Sequence, residues 1–375
     1  MSTSLLPKRN RNAARAPVDF DIHGLIGIRL TDASPEDVEA VLNQVGDFRR
    51  ALCRPADITI RFTRKPSSDC AVGAKTASFR IPFGQLGGPC EVVYGSGQKS
   101  LPLLMPLLSL TALTKSCVAL HGSAFVHNGA GIILAGAPGS GKTSALLGFM
   151  SMGAEFIADD WVLLQSEADS MYGLSGEIEL SLPAFDVLGR GESAIRGARH
   201  SLVRALRLLV TRFRKHERLN EHSYLRRAAR KALAVMIENS IPMRDPRVLF
   251  PGQVGSLTAR PAKLFLLCRD DHTEIIVERI TTSEMAPKIA RLIEREQARL
   301  MDCYAAFRLA FPNRANPLLD RIAEFQEQAV TRALANLECY VVHHPRCPVV
   351  AKLHEAIRPF CTSIEHSVAR LSAHA

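Results

Sequence analysis

The stretch that decides the fold class is Gly131-Ile-Ile-Leu-Ala-Gly136-Ala-Pro-Gly-Ser-Gly-Lys142-Thr143-Ser144. Its apolar start predicts a short buried strand, its centre matches the pattern G-x-x-x-x-G-K-[ST], and the apolar run after it continues as a helix. In that setting backbone N–H groups turn inward around phosphate oxygens, and the helix N-terminus adds partial positive charge. The sequence therefore predicts a binding site for nucleotide phosphates in an α/β fold.

The predicted nucleotide site assigns separate roles to neighbouring residues. Lys142 is expected to neutralise the β- and γ-phosphates, and Thr143 is expected to place its hydroxyl on Mg²⁺. The residues predicted to contact the nucleotide are Gly136, Ala137, Pro138, Gly139, Ser140, Gly141, Lys142, Thr143 and Ser144.

Two adjacent carboxylates, Asp159 and Asp160, follow the apolar run 155–157. The helix that starts at Gly141 carries the chain roughly 18 Å from the phosphates, if it has about 12 residues. A right-handed crossover then returns the next strand parallel to 131–135, which places both acids beside the loop. Because neighbouring strand residues face opposite sides, we expect one acid to reach the metal and the other the substrate. The alternative is that they are structural and that one caps a turn.

A hairpin before the loop brings a histidine to the same region. Asn128-Gly129 joins two apolar runs, and this dipeptide is the strongest short hairpin signal. A two-residue turn places His121 opposite Gly136, and a four-residue loop shifts it only to Pro138. We interpret His121 as part of the site; the alternative is a structural histidine.

These three features together resemble the catalytic core of HPr kinase/phosphorylase and, through it, the phosphoenolpyruvate carboxykinase-like P-loop fold. The residues that carry the resemblance are His121-Gly122, the loop 136–143 and Ala158-Asp159-Asp160. It covers about residues 120–164. The resemblance implies a P-loop kinase domain that uses ATP and Mg²⁺. It also implies that Asp160 takes the proton from a substrate hydroxyl, that Asp159 supports the metal or phosphate geometry, and that His121 orients or polarises the aspartate.

The residues that follow the aspartate pair define the function class. Where the family has a metal-binding glutamate, this chain has Glu177 and Glu179; one of them reaches the metal or both are solvated at a strand edge. No arginine-loop signature follows, which argues against HPr as the substrate. The closer resemblance is to HPr kinase-like proteins, which include kinases that modify peptide natural products and small hydroxylated metabolites. We expect ATP-dependent transfer to a hydroxyl of a peptide, protein or small molecule. The alternative is a nucleotide-sensing regulatory or binding protein with weak or no transferase activity.

The remaining sequence predicts three parts. Residues 1–17 form a disordered basic arm that lacks the apolar run of a secretory signal. Residues 18–100 form a small α+β module, and residues 101–375 form the P-loop kinase-like domain with a basic helical insertion at about 190–240. The other predicted elements are strands at 24–30, 58–62, 77–83, 262–268 and 274–280, a helix that Ser34 caps, and helices within 101–113, 283–311 and 316–338.

The net charge of +10 comes from one segment. Between Arg190 and Lys231, thirteen Lys and Arg residues stand against three acidic ones, a difference that equals the excess of the whole chain. We interpret this segment as a solvated helix over the core; the alternatives are a groove for an acidic or phosphorylated acceptor and a nucleic-acid or membrane surface. Its sparse aromatic residues, Phe213 and Tyr224, argue against nucleic acid as the partner.

Cysteine and hydropathy patterns predict the compartment. Nine cysteines without a C-x-x-C pair fit neither a disulfide framework nor a zinc knuckle, so a reducing cytoplasm is the expected setting. The most apolar run, Leu101 to Leu113, is shorter than the roughly 20 residues that cross a bilayer, so we expect a buried helix and no membrane span. The expected partners are a nucleotide and an acidic or hydroxyl-bearing peptide or small-molecule acceptor, and a homo-oligomer stays open.

Overall fold

A computed structural model of the chain describes residues 15–63, 79–165, 169–175, 178–179, 243–345 and 352–361. These residues form a mixed α/β structure with a five-stranded sheet, a nine-stranded sheet and a two-stranded pair. The predicted α/β class is confirmed. Most of the predicted basic arm and the whole basic insertion at about 190–240 lie outside the described residues.

The five-stranded sheet has the order β1-β2-β3-β5-β4. Its strands are β1 (Val18–Ile22), β2 (Ile26–Thr31), β3 (Ile58–Thr63), β4 (Phe79–Arg80) and β5 (Cys90–Gly95). The inner strands β2, β3 and β5 are parallel, and each outer strand is antiparallel to its neighbour. Helix α1 (Pro35–Val45) begins as predicted, with reciprocal hydrogen bonds between Ser34 and Asp37 that form a capping box.

Two strands of this sheet, β1 and β5, were not predicted, and the strand predicted at 77–83 is wrong in its extent. Of the described residues in that range, only Phe79 and Arg80 are in a strand. Pro82 has no N–H to donate to a neighbouring strand, and a 3-10 helix, Phe83–Gln85, follows it.

The nine-stranded sheet has the order β13-β10-β9-β6-β7-β14-β16-β15, and β8 also pairs with β6. Its strands are β6 (Cys117–His127), β7 (Ala130–Gly136), β8 (Glu155–Ala158), β9 (Asp160–Gln165), β10 (Ser170–Ser175), β13 (Thr258–Ala259), β14 (Pro261–Asp270), β15 (Ile276–Ile280) and β16 (Glu338–Pro345). The separate pair consists of β11 (Ile178–Glu179) and β12 (Met243–Arg244). Strands β7, β14 and β16 are parallel, so their carboxyl ends meet at one edge of the sheet.

The β6–β7 hairpin has the predicted register. Gly122 pairs with Ala135, and His127 pairs with Ala130 on either side of the two-residue turn. Asn128 and Gly129 both have positive φ, 50° and 76°, as a type I′ turn requires. The hairpin prediction is therefore confirmed.

Two short helices, Pro246–Leu249 and Leu353–Ile357, were not predicted, and the other described helices begin and end close to the predicted positions with one exception. The described helices are α1, α2 (Leu104–Leu113), α3 (Lys142–Met150), α4 (Pro246–Leu249), α5 (Thr282–Ala310), α6 (Pro317–Asp320), α7 (Ile322–Leu334) and α8 (Leu353–Ile357). The helical run predicted at 316–338 is wrong at its end and in its continuity. It is interrupted at Arg321, and β16 begins at Glu338 because that segment pairs with β14 and β15 on its two sides.

Helices cover both faces of the nine-stranded sheet. Ile132 and Leu134 of β7 belong to a hydrophobic cluster with α3 and α8, whereas Ile133 and Ala135 belong to a cluster with α5 and α7. This alternation follows from the two-residue period of a strand. A third cluster joins the five-stranded sheet to α2 and α5. None of the helices in the described ranges is long and apolar enough to span a bilayer.

Candidate functional site

The glycine-rich loop lies between a strand and a helix, as predicted. Strand β7 ends at Gly136 and α3 begins at Lys142. Gly136, Gly139 and Gly141 have φ values of 151°, 75° and 95°, which side chains other than hydrogen disfavour. A Cβ atom on Gly136 would lie 2.6 Å from the Ser140 hydroxyl oxygen and 2.7 Å from a backbone carbonyl oxygen of β14. The tight path of the loop therefore requires glycine at 136.

The side chain of Lys142 folds back over this loop. Its Nζ donates to the carbonyl oxygens of Gly136 at 3.0 Å and Ala137 at 3.4 Å, and the residue is only 7% exposed. Burial lowers the pKa of Lys142, although the carboxylates of Asp159 and two further acids oppose the shift. The buried Ser140 hydroxyl has no hydrogen-bond partner among the described residues.

Asp159 is buried directly against the first turn of α3. Its carboxylate accepts hydrogen bonds from Ser123 Oγ at 2.5 Å and from Thr143 Oγ1 at 3.1 and 3.2 Å. Burial and the nearby charge of Asp160 raise the pKa of Asp159 to about 6, while Ser123, Thr143 and Lys142 act in the opposite direction. The protein therefore disfavours the ionised form of Asp159, and a bound cation would stabilise that form.

Asp160 faces a different environment from its neighbour Asp159, as expected, although its backbone departs from strand geometry. Its side chain is 53% exposed, and its backbone has a φ of 78°. That left-handed conformation is uncommon for a residue other than glycine, although aspartate tolerates it better than most. The outlier lies between Asp159 and Trp161, at the point where β8 passes into β9.

The strand that precedes the aspartates, β8, has the predicted direction relative to β7. Strand β8 pairs with β6 in antiparallel fashion, and β6 is antiparallel to β7. Strand β8 is therefore parallel to β7, as predicted, but β6 lies between them. This arrangement brings Ser123 of β6 into contact with Asp159.

His121 lies between two carboxylates. Its Nδ1 is hydrogen bonded to Glu296 Oε1 at 2.9 Å, and its Nε2 lies 3.7 Å from Asp160 Oδ1, a distance typical of an ion pair rather than a hydrogen bond. The ring stacks on Trp161 with centroids 5.4 Å apart. Burial alone would lower the pKa of His121, but the two carboxylates raise it to about 9. The imidazole is therefore cationic at neutral pH.

Three residues of this region were not predicted from the sequence. Glu296 lies in the middle of α5, and no local motif marks it. Ser123 lies two residues after His121 on the same strand, so the predicted hairpin could have identified it. Arg269 lies two residues after Leu267, the β14 residue that pairs with Gly136. Its Nη1 would lie 3.6 Å from a Cβ atom on Gly139.

The two glutamates considered for the metal remain unassigned. Glu177 lies outside the described residues, and Glu179 lies in β11, which pairs with β12. The structure thus brings together His121, Lys142, Thr143, Asp159 and Asp160 at one end of the sheet. No protein-family model matches the chain, and no curated protein sequence matches it.

Proposed function

We propose that this chain is an ATP-dependent kinase of the HPr kinase-like P-loop type that phosphorylates a hydroxyl group of a peptide, protein or small molecule. One observation carries the proposal. A buried carboxylate, Asp159, contacts the threonine of the loop, while a second carboxylate, Asp160, is exposed beside a cationic histidine. Phosphoryl transfer needs this division between a group that holds the metal and a group that receives the proton of the acceptor.

The loop offers what the phosphates of a nucleotide require. Its glycines and the N-terminus of α3 supply backbone N–H donors and partial positive charge. The buried Ser140 hydroxyl, which has no hydrogen-bond partner in the described part of the chain, is a donor available to a phosphate oxygen. Lys142 would exchange its two carbonyl partners for phosphate oxygens, and the exposed Arg269 guanidinium supplies a further cation above Gly139.

Thr143 and Asp159 suit adjacent positions around Mg²⁺. Their oxygens are 3.1 Å apart, and adjacent ligands of an octahedral ion with bond lengths of about 2.1 Å lie about 3.0 Å apart. Bound there, Mg²⁺ would neutralise charge on the β- and γ-phosphates. Occupancy by a cation would also favour the ionised form of Asp159 that burial disfavours.

We assign the role of the base to Asp160. Its exposed carboxylate can accept the proton of an acceptor hydroxyl as the new bond to phosphorus forms. The His121 imidazolium can orient this carboxylate, and Glu296 fixes the orientation of the ring through Nδ1. His121 and Glu296 are therefore positioning residues, and Asp160 is the catalytic residue of the proposal.

Mass spectrometry of hydroxyl-bearing peptides, proteins and metabolites incubated with the chain, ATP and Mg²⁺ tests the proposal. We expect one class of acceptor to gain a phosphate group. The Lys142→Ala variant should lose both this transfer and ATP binding, because the ammonium no longer neutralises the phosphates. ATP binding without transfer to any acceptor would instead favour a nucleotide-sensing protein.

A further inference from the structure

A second cluster of metal-binding side chains lies at the same edge of the sheet and takes no part in the proposed phosphoryl transfer. Asp270 is the last residue of β14, His343 belongs to β16, and His272 follows in the turn after β14. One ligand atom from each of the three lies within 4.8 Å of the other two.

Two independent features of the backbone hold this cluster together. The parallel β14–β16 register pairs Cys268 with His343, so Asp270 lies two residues further along the neighbouring strand and on the same face. The backbone N–H of His272 donates to Asp270 Oδ1 at 3.0 Å, which closes a turn and brings the ring back over the carboxylate. The cluster is thus built by strand pairing and a turn.

The side chains already converge on one point. His343 Nδ1 lies 2.6 Å from Asp270 Oδ2, and His272 Nδ1 lies 2.7 Å from Oδ1 of the same carboxylate. The two imidazole rings have centroids 5.1 Å apart. Two nitrogen donors and a carboxylate that face each other at these distances need only small side-chain rotations to surround one ion, since the ligands of a tetrahedral zinc ion lie about 2.0–2.2 Å from it.

We propose that Asp270, His272 and His343 form a binding site for a divalent transition metal of the Zn²⁺ or Co²⁺ class, separate from the magnesium site at Thr143 and Asp159. Two imidazoles and one carboxylate are the ligand set that such ions prefer, whereas Mg²⁺ prefers oxygen ligands alone. Three protein ligands leave one coordination position open. The proposal does not depend on the kinase function, because its ligands belong to neither the loop nor the aspartate pair.

The position of this cluster in the sheet indicates which class of ligand would bind at the open coordination position. Leu267 of β14 pairs with Gly136, and Asp270 lies three residues further, about 10 Å along the strand. Ligands of open α/β sheets bind at the carboxyl ends of parallel strands, and β7, β14 and β16 all end here. Arg269, which precedes Asp270 in the chain, is exposed, and its guanidinium lies near Gly139 of the loop. An anionic oxygen ligand, such as a carboxylate or phosphate group, fits the open position.

Metal titration of the full chain tests the site. Zn²⁺ is titrated by calorimetry in buffer that contains Mg²⁺, and Co²⁺ is titrated in parallel by visible absorption. We expect one equivalent of Zn²⁺ or Co²⁺ bound without the charge-transfer band that thiolate ligands give. His343→Gln and Asp270→Asn should each weaken this binding at least about tenfold, since loss of a ligand costs no less than loss of a residue that orients one.

Matched variants separate this site from other metal-binding groups. His127→Gln changes a partly buried histidine at the far end of β6, and Cys268→Ser removes the nearest strand thiol; both should bind Zn²⁺ as the wild type does. Asp159→Asn should also leave Zn²⁺ binding unchanged. His272→Gln, in an exposed turn, is the second ligand variant if a substitution within the sheet prevents folding. Equal Zn²⁺ stoichiometry and affinity in the wild type and the ligand variants would overturn the proposal.

Discussion

His121 orients the proposed catalytic base, Asp160, through a charge contact. Its pKa of about 9 depends on the neighbouring carboxylates, one of which belongs to Glu296. We expect the transfer rate to fall as pH rises through about 9, because the imidazolium that pairs with the Asp160 carboxylate and orients it is then lost. Glu296→Gln keeps a hydrogen-bonding side chain but removes its charge, so the pKa of His121 should fall and the loss of activity should move to lower pH.

Rate profiles of kcat against pH for the wild type, Glu296→Gln and His121→Gln measure this effect. His121→Gln should lower kcat about 10- to 100-fold and remove the alkaline limb, while the affinity for ATP stays close to that of the wild type. A merely structural role for His121 predicts reduced stability with an unchanged profile shape. An alkaline limb that persists in His121→Gln would contradict the assignment.

Arg269 is an exposed cation whose guanidinium lies over the loop. We expect Arg269→Ala to weaken MgATP binding or to lower kcat about tenfold, because one charge contact to the phosphates is lost. Arg260→Ala is the matched control, since Arg260 is 80% exposed, precedes β14 and pairs with Asp169 away from the loop. Kinetics of both variants decide the matter; equal activity in the two would exclude Arg269 from the site.

At the scale of elements, the close contact of β6 with β7 positions the polar residues of β6. A Cβ atom on Gly122 would lie 2.6 Å from the carbonyl oxygen of Leu134. Gly122→Ala should therefore separate the strands and lower the free energy of unfolding by about 1–3 kcal/mol. Gly84→Ala, where no atom of the described residues lies within 4 Å of the new Cβ, should change the free energy of unfolding by less than about 0.5 kcal/mol.

Denaturant unfolding of both glycine variants, with transfer assayed in parallel, checks this packing argument. Gly122→Ala should also lower activity, because Ser123 and His121 flank it on β6. Equal stability of the two variants would show that the hairpin can accommodate a methyl group at 122.

Elements with local signals could be predicted from the sequence. The Asn128-Gly129 turn, the capping box at Ser34 and the strand–loop–helix around Gly136 each depend on residues a few positions apart. Strand β16 could not be predicted, because its strand conformation is stabilised by β14 and β15, which are distant in sequence. Glu296 could not be predicted for the same reason, because it contacts His121 from a position 175 residues away in the sequence.

At the scale of the whole molecule, two groups of the site link stability to pH. The pKa of His121 is raised from 6.5 to about 9, so the stability it contributes is complete below about pH 6.5 and is lost as pH rises through 9. The pKa of Asp159 is raised from 3.8 to about 6, so its contribution is likewise lost as pH rises through 6. Without nucleotide and Mg²⁺, both groups make the protein less stable at pH 9 than at pH 6.

Chemical denaturation between pH 4 and 9 measures these contributions. Between about pH 6.5 and 9 the free energy of unfolding should fall less in His121→Gln than in the wild type, and the difference should be at most about 3 kcal/mol. Asp159→Asn should unfold at higher denaturant concentration than the wild type above pH 6, because a buried charge is removed, and should lose its response to Mg²⁺. If Asp159→Asn were less stable than the wild type at pH 8, the inference that the fold disfavours ionised Asp159 would be wrong.

The five-stranded sheet also connects to the site through packing. One hydrophobic cluster joins that sheet to Leu300, Cys303 and Tyr304 of α5, the helix that carries Glu296 about one turn earlier. The sequence predicted the sheet as a separate module but not this contact, because nothing in the strands of the sheet indicates which helix covers them. The orientation of Glu296, and through it of His121, thus depends on residues far from the loop.

The proposed kinase activity with Asp160 as the base is tested most directly by comparing MgATP affinity and phosphoryl transfer in the wild type and Asp160→Asn. Asparagine tolerates the left-handed backbone at this position, so the variant should fold as the wild type does. We predict an MgATP dissociation constant within about twofold of the wild-type value and transfer at least about 100-fold slower, because the group that receives the proton is lost. Transfer at the wild-type rate in Asp160→Asn would contradict the assignment of Asp160 as the catalytic base.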